Sequence, residues 1–100
     1  MAKQRLDLHG IFLEMTPNVY YQPPDGAQMK YPCIVYFLDN YDDVYADNIK
    51  YKTKKRYEVT VIDKDPESPI VDQIRELQYC RLDRHFTVDN LHHFAFTLFF

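Results

Sequence analysis

The stretch DRHFTVDNLHHF, residues 83–94, contains the residue types of a metal site or an acid–base site. It holds three of the chain's four histidines and two aspartates. Imidazole nitrogens and carboxylates ligate zinc, and the same groups act as general acids and bases. Alternation along two strands predicts that Asp83, His85 and His93 share one face of a hairpin. If they converge, the chain is a small metal-binding protein built on these three residues.

Two strands at the end of the chain must position these side chains, and the turn between them fixes the register. The apolar residues of one parity are Cys80, Leu82, Phe86 and Val88 in the first strand, and Phe94, Phe96, Leu98 and Phe100 in the second. A two-residue turn would place Leu82 and Phe86 on one face of the hairpin and the apolar residues of the second strand, the Phe row, on the other. The reason is that a shift of one residue in the register exchanges the two faces. We therefore expect a three-residue loop, Val88–Asn90, that pairs Thr87 with Leu91. His92 then lies beside the apolar row.

The same stretch is also typical of a hairpin whose outer face is polar, and three observations favour that interpretation. The histidines and aspartates match no established ligand spacing, and both cysteines are expected to point away from them. The whole chain has two glycines, too few for a loop that cradles phosphate. A face that combines charge with Phe99 resembles a subunit interface. We therefore expect assembly rather than enzymatic activity, and no cofactor or metal.

Composition and charge predict a small folded domain. The chain has 100 residues, of which 46% are hydrophobic, and a formal net charge of −3. This charge argues against a general attraction to nucleic acid or anionic membranes. A nucleic-acid-binding alternative would use the basic residues 50–56, with Tyr51 and Tyr57 as stacking platforms. No apolar run approaches a membrane span, and the first ten residues lack the apolar core of a signal peptide, so we expect no membrane association and cytoplasmic retention with reduced, buried Cys33 and Cys80.

Periodicity predicts an α+β fold over residues 1–100, with a mostly antiparallel sheet of four to five strands and two helices on one of its faces. Leu8, Ile11, Phe12 and Met15 line one side of a first helix. Ser68 followed by Pro69 predicts the start of a second helix. Residues 33–38, CIVYFL, predict a strand covered on both faces, and residues 56–63, RYEVTVID, a strand that alternates.

A long arm, residues 39–52, connects these two strands and changes charge along its length. Its first half carries Asp39, Asp42, Asp43 and Asp47, and five basic residues follow within residues 50–56. Such a split suits a ring, because the acidic part of one subunit meets the basic part of its neighbour. Arm and hairpin together give the predicted interface: Asp39, Asp42, Asp43, Asp47, Lys52, Lys54, Arg56, Arg81, Asp83, His85, His93 and Phe99.

Five segments resemble the tail-terminator, or tail-to-head joining, proteins of long-tailed, siphovirus-type phages. They are NVYYQPP, YPCIVY, KRYEVTVID, CRLDRHF and DNLHHFAFTLFF, and they extend from Asn18 to Phe100. None of them is a catalytic signature. Stopper and adaptor proteins of the phage neck are the alternatives within the same region of the virion.

The resemblance implies a structural virion protein at the head–tail junction, present in the host cytoplasm during assembly. It implies a homo-oligomeric ring, typically a hexamer, that terminates the tail tube and docks it to the head connector or stopper protein. It also implies no enzymatic activity and no cofactor. DNA would pass through the lumen without specific binding, and acidic residues of the arm would line that lumen and repel it.

Overall fold

The structure, a computed structural model, describes residues 5–24, 26, 28–46, 49–77 and 80–100. Within these ranges the chain forms two helices and five strands in one sheet, and neither helix is long and apolar enough to cross a membrane. The sheet order is β1-β2-β3-β5-β4. The elements in chain order are α1 (Arg5–Leu13), β1 (Val19–Tyr21), β2 (Cys33–Ala46), β3 (Ile49–Asp63), α2 (Pro69–Arg75), β4 (Cys80–Val88) and β5 (Leu91–Phe99).

The predicted α+β fold is confirmed, with one addition to the expected topology. Strands β2, β3, β5 and β4 pair antiparallel with their neighbours. The short β1 pairs parallel to β2, so the sheet is mixed. Because β1 has only three residues, it covers a small part of the β2 edge.

The core lies between one face of the sheet and the two helices. Alternate residues of the central strands point to this face, because successive side chains of a strand point to opposite sides. Both helices contribute to the same cluster, as their apolar periodicity predicts. Its buried members are Leu8, Phe12, Ile34, Tyr36, Tyr57, Val59, Val61, Ile70, Val71, Ile74, Phe94, Phe96 and Leu98.

The two cysteines are free thiols on different strands. Cys33 is buried and Cys80 is half-buried. Burial, with a smaller contribution from Asp63 for Cys33 and Asp83 for Cys80, raises the pKa of each thiol to about 11. Both thiols therefore stay protonated at neutral pH and pack as small apolar groups.

The predicted three-residue loop between β4 and β5 is wrong. Val88 pairs directly with Leu91, and Asp89 and Asn90 form a two-residue turn with φ values of 52° and 64°. Two positive φ angles match the right-handed twist of the flanking strands, and Asp and Asn tolerate them better than most residues do. A register shift between Leu82 and Arg84 brings Leu82 opposite Phe96, as predicted, whereas Phe86 pairs with His93 and so lies on the face opposite to Phe94 and Phe96.

Two burial predictions also need correction. Residues 33–38 were expected to be covered on both faces of the sheet. Cys33 and Ile34, which point to opposite faces, are both buried, but Phe37 is 38% exposed. Leu82, Phe86 and Val88 were expected in the apolar interior, yet all three are exposed. Two features explain this exposure: β5 pairs with β3 and leaves β4 at the edge of the sheet, and the two-residue turn places Phe86 and Val88 on the face opposite to Phe94 and Phe96.

Candidate assembly interface

The arm is a β-ribbon rather than a loop. Strands β2 and β3 stay paired along most of it, from Asn40 opposite Arg56 to Ala46 opposite Ile49. A register shift between Leu38 and Asn40 leaves Asp39 out of the ladder, which is the geometry of a bulge. The segment predicted as a long polar arm, about residues 39–52, thus consists of paired strands over the part that the structure describes.

The opposite charges of the arm lie on partner strands of the same chain. Asp42 pairs with Lys54 in the ladder, Asp43 with Thr53, and Val44 with Lys52. Arg56 donates from Nε to Asp39 Oδ2 at 2.9 Å, and both side chains are roughly two-fifths exposed. Part of the complementarity predicted between neighbouring subunits is therefore already made within one subunit. Asp47 lies outside the described residues.

On the terminal hairpin, Asp83 is held by neighbours on its own strand and on β5. Thr97 donates a hydrogen bond to Asp83 Oδ2, and Arg81 donates from Nε to Oδ1 at 3.0 Å. The hydrogen bond from Thr97 is the main reason that the pKa of Asp83 lies below its ordinary value. Partial desolvation raises this pKa and so opposes the effect, while the hydrogen bond and charge of Arg81 lower it further. Asp83 is thus a carboxylate fixed in place beside a guanidinium that is itself 75% exposed.

Replacing Thr97 by Val should reduce stability by about 0.5–1.5 kcal/mol at neutral pH, the usual contribution of one hydrogen bond. The pKa of folded Asp83 is lowered, so its contribution is complete above the ordinary value of 3.8 and is lost as pH falls through the folded pKa. The difference between wild type and Thr97→Val should therefore shrink as pH falls below about 4. Urea unfolding as a function of pH measures it. Thr97→Ser, which keeps the hydroxyl, should follow wild type, and a difference that stays constant with pH would contradict this role of Asp83.

The predicted grouping of Asp83, His85 and His93 is wrong. His85 pairs with Phe94, and His93 pairs with Phe86, so the two histidines occupy opposite faces of the hairpin. The ring of His85 stacks on Phe94 with centroids 4.3 Å apart, on the face of the Phe row. The alternative of a metal-binding protein on these three residues therefore has no convergent ligand set. Among the described residues, no three His, Cys, Asp or Glu side chains come together to hold a metal.

The histidine that approaches His85 is His92, which was expected beside the apolar row and lies there. His85 Nε2 is 3.1 Å from His92 Nδ1, and Thr87 Oγ1 is 3.3 Å from that same Nδ1. Within the opening stretch, His85 and Thr87 thus both contact His92 along the hairpin. His93 lies on the open face, where it stacks on Phe86 with centroids 4.8 Å apart.

Sequence reasoning missed the exposed apolar residues of β4. Leu82 is 41% exposed, Phe86 37% and Val88 48%. Arg84 places its guanidinium over the Phe86 ring, 5.1 Å from the centroid. An edge strand that carries apolar side chains has the character of a contact surface, because such edges are normally protected. No sequence signal distinguishes these residues from core residues, since their alternation is that of a buried strand.

The open face of the sheet carries the remaining predicted interface residues. Thr97 and Phe99 share the parity of His93 along β5, and Phe99 pairs with Arg56 in β3. Phe99 and His93 are partly exposed. Both helices pack on the other face of the sheet, so they do not cover these residues.

Comparison with known proteins gives no identification: no protein family, curated protein or solved structure matches the chain.

Proposed function

We propose that this protein is a structural virion protein that forms a ring at the head–tail junction of a long-tailed phage. In this role it terminates the tail tube and docks it to the head connector or stopper protein. The proposal rests on the resemblance of residues 18–100 to tail terminators. The observation that supports it most is the combination of a projecting charged ribbon with an exposed apolar edge strand at the other side of one small sheet.

Rings need two different surfaces on each subunit, because a heterologous contact repeats from one copy to the next until the rotation closes. The two outer strands of this sheet are different in sequence and lie at opposite edges. The cleft beside the start of α2 and the cleft between the two helices contain no nucleophile–base pair among their lining residues. An assembly role fits these features better than a reaction does.

Reversing two charges on the acidic half of the arm, Asp42→Lys with Asp43→Lys, should strongly reduce incorporation into tails. Like charges brought together in an interface cost several kcal/mol, which lowers assembly by about a hundredfold or more. Tails assembled in the absence of the wild-type protein, and completed with purified variant, measure the effect as the yield of infectious particles. Far-ultraviolet circular dichroism checks that the fold is unchanged.

Asp42→Asn with Asp43→Asn serves as the matched control, because it removes the charge without introducing repulsion. Its yield should lie between those of wild type and of the lysine variant. Unchanged incorporation of the lysine variant would contradict a role for the arm in assembly. Absence of any complementation by the wild-type chain would contradict the proposed function itself.

A further inference from the structure

We propose that neighbouring subunits join through their sheet edges, with β4 of one copy pairing with the free outer edge of β2, residues 37–46, of the next. This inference rests on the proposed ring and specifies its subunit contact. At each of the two edges, the strand that pairs with it belongs to another copy of this chain. The result is one sheet that continues from subunit to subunit.

The first support is the set of backbone groups that the fold leaves unpaired. Strand β1 pairs with β2 only from Ile34 to Tyr36, and the last backbone bond on that side runs from Gln22 N to Tyr36 O at 3.0 Å. Beyond Tyr36, no described strand lies on the outer side of β2, and none lies on the outer side of β4. Unpaired strand edges are templates for another strand.

Direction and length are compatible with this pairing. Within one chain β5 runs parallel to β2, because both are antiparallel to β3, and β4 runs antiparallel to β5. Copies in a ring keep nearly the same strand direction, so β4 meets the neighbour's β2 antiparallel. Across the sheet of one copy, Cys80 lies level with Leu38 and Phe86 lies level with Cys33. The pairing therefore requires each copy to be offset along the strands, which brings its β4 against residues 37–46 of the neighbour. Strand β4 has nine residues, enough for an edge contact about 30 Å long and comparable in length to residues 37–46.

Apolar exposure concentrates on the same two strands. Of the eight large apolar side chains that are exposed among the described residues, five lie on these edges. Three belong to β4 (Leu82, Phe86 and Val88), and two belong to β2 beyond β1 (Phe37 and Tyr41). A contact between the edges would remove these side chains from water, the main favourable term in association.

Charge complementarity favours this pair of edges over β4 with β4 or β2 with β2. Residues 37–46 carry three aspartates and no basic residue, while β4 carries Arg81 and Arg84 against a single acid, Asp83. Asp83 is bonded to Arg81 and Thr97, so Arg84 supplies the net positive charge of β4. A neighbour's β4 would lie one strand spacing, about 4.8 Å, from the acidic strand and twice that from the basic β3. A self-pairing of either edge would instead oppose like charges.

Reciprocal charge reversal tests the contact. Arg81→Glu with Arg84→Glu, and separately Asp42→Lys with Asp43→Lys, should each reduce the ring population about tenfold or more. The chain that carries all four substitutions should recover rings, because the two reversed edges are again complementary. Lys64→Glu with Arg75→Glu, at exposed positions outside both edges, is the control for net charge and should assemble like wild type.

A backbone substitution makes the test independent of charge. Val88 and Leu91 close the two-residue turn as a hydrogen-bonded pair, so the N–H of Thr87 points away from β5. Thr87→Pro removes this outward donor without removing a bond to β5, and it should prevent ring formation. Thr87→Ala, which keeps the N–H, should assemble.

Native mass spectrometry reads out all variants, and incorporation into tails replaces it if the wild type assembles only there. The edge pairing is supported if the fourfold variant forms rings again and Thr87→Pro does not form them. Rings that persist in the paired charge variants, or a fourfold variant that stays apart, overturn the pairing while leaving the ring intact. A wild-type chain that forms no rings and joins no tails overturns the proposed function as well.

Discussion

Replacing Tyr36 by Ala should lower the free energy of unfolding by about 3–5 kcal/mol, the usual cost of truncating a large buried aromatic residue. The side chain is fully buried at the centre of the core. Rings on three sides contact it: Phe12 at 5.2 Å, Tyr21 at 4.9 Å and Tyr57 at 5.9 Å between centroids. Such a loss is a large fraction of the total stability of a domain of this size.

Tyr36 also fixes the first helix to the sheet through its hydroxyl group. The hydroxyl lies 2.6 Å from His9 Nδ1 and accepts a hydrogen bond from Arg5 at 3.2 Å. The Arg5 guanidinium in turn lies over the Tyr21 ring, 4.3 Å from its centroid. Because α1 has few other polar contacts with the sheet among the described residues, this group should determine how firmly the helix docks.

Tyr36→Phe separates packing from hydrogen bonding. It keeps the ring and removes the hydroxyl, so we expect a loss of about 1–2 kcal/mol. Urea denaturation of both variants, with circular dichroism as the probe, measures these values. Equal losses for Phe and Ala would assign the whole effect to the hydroxyl, and a loss under about 1 kcal/mol for Ala would contradict the central position of Tyr36.

Removing the outer part of the arm should abolish assembly while preserving the fold. Tyr41 and Lys55 are partners in the β2–β3 ladder, so Asn-Gly in place of residues 42–54 reconnects them through a favourable two-residue turn. The reconnection keeps the two backbone bonds between Lys55 and Phe100. The buried cluster that the two helices form with the central strands is retained in the shortened chain.

We expect the free energy of unfolding of the shortened chain to lie within about 1 kcal/mol of the wild-type value, since shorter loops cost less entropy to close. We also expect it to remain monomeric and to fail to complete tails. A chain of full length with Asp42→Asn and Asp43→Asn is the control that retains the strand edges. Normal rings from the shortened chain would contradict a contact along residues 42–46, and an unfolded product would show that the arm stabilises the domain.

Periodicity was sufficient to predict the two helices and the alternating strand before Asp63. The first helix follows from the spacing of Leu8 and Phe12, and both are buried. The second begins directly after Ser68, as the Ser-Pro pair predicts, although the Ser68 hydroxyl is buried without a hydrogen-bond partner in place of the expected capping bond. These elements were predictable because local sequence determines them.

The candidate interface was less predictable, because it depends on strand order, on the length of one turn and on one register shift. Nothing in the alternation of Leu82, Phe86 and Val88 indicates that β4 lies at an edge. The two-residue turn places His85 opposite Phe94 and separates it from His93, and the register shift beside Asp83 restores the predicted pairing only for residues 80–82. The charges of the arm can be read from the sequence. That acidic and basic residues of one chain lie opposite each other becomes clear only from the register of β2 with β3.

The most direct test of the proposed ring is native mass spectrometry of the untagged protein, with and without added zinc. A metal-free assembly of six 12.1 kDa chains, about 73 kDa, is the expected result. A monomer that binds one zinc ion tightly would contradict the ring and would favour a metal site that includes the histidines of the terminal hairpin. If the free protein is a metal-free monomer, the same measurement on protein released from completed tails should give the six-chain assembly, and its absence there would contradict the ring.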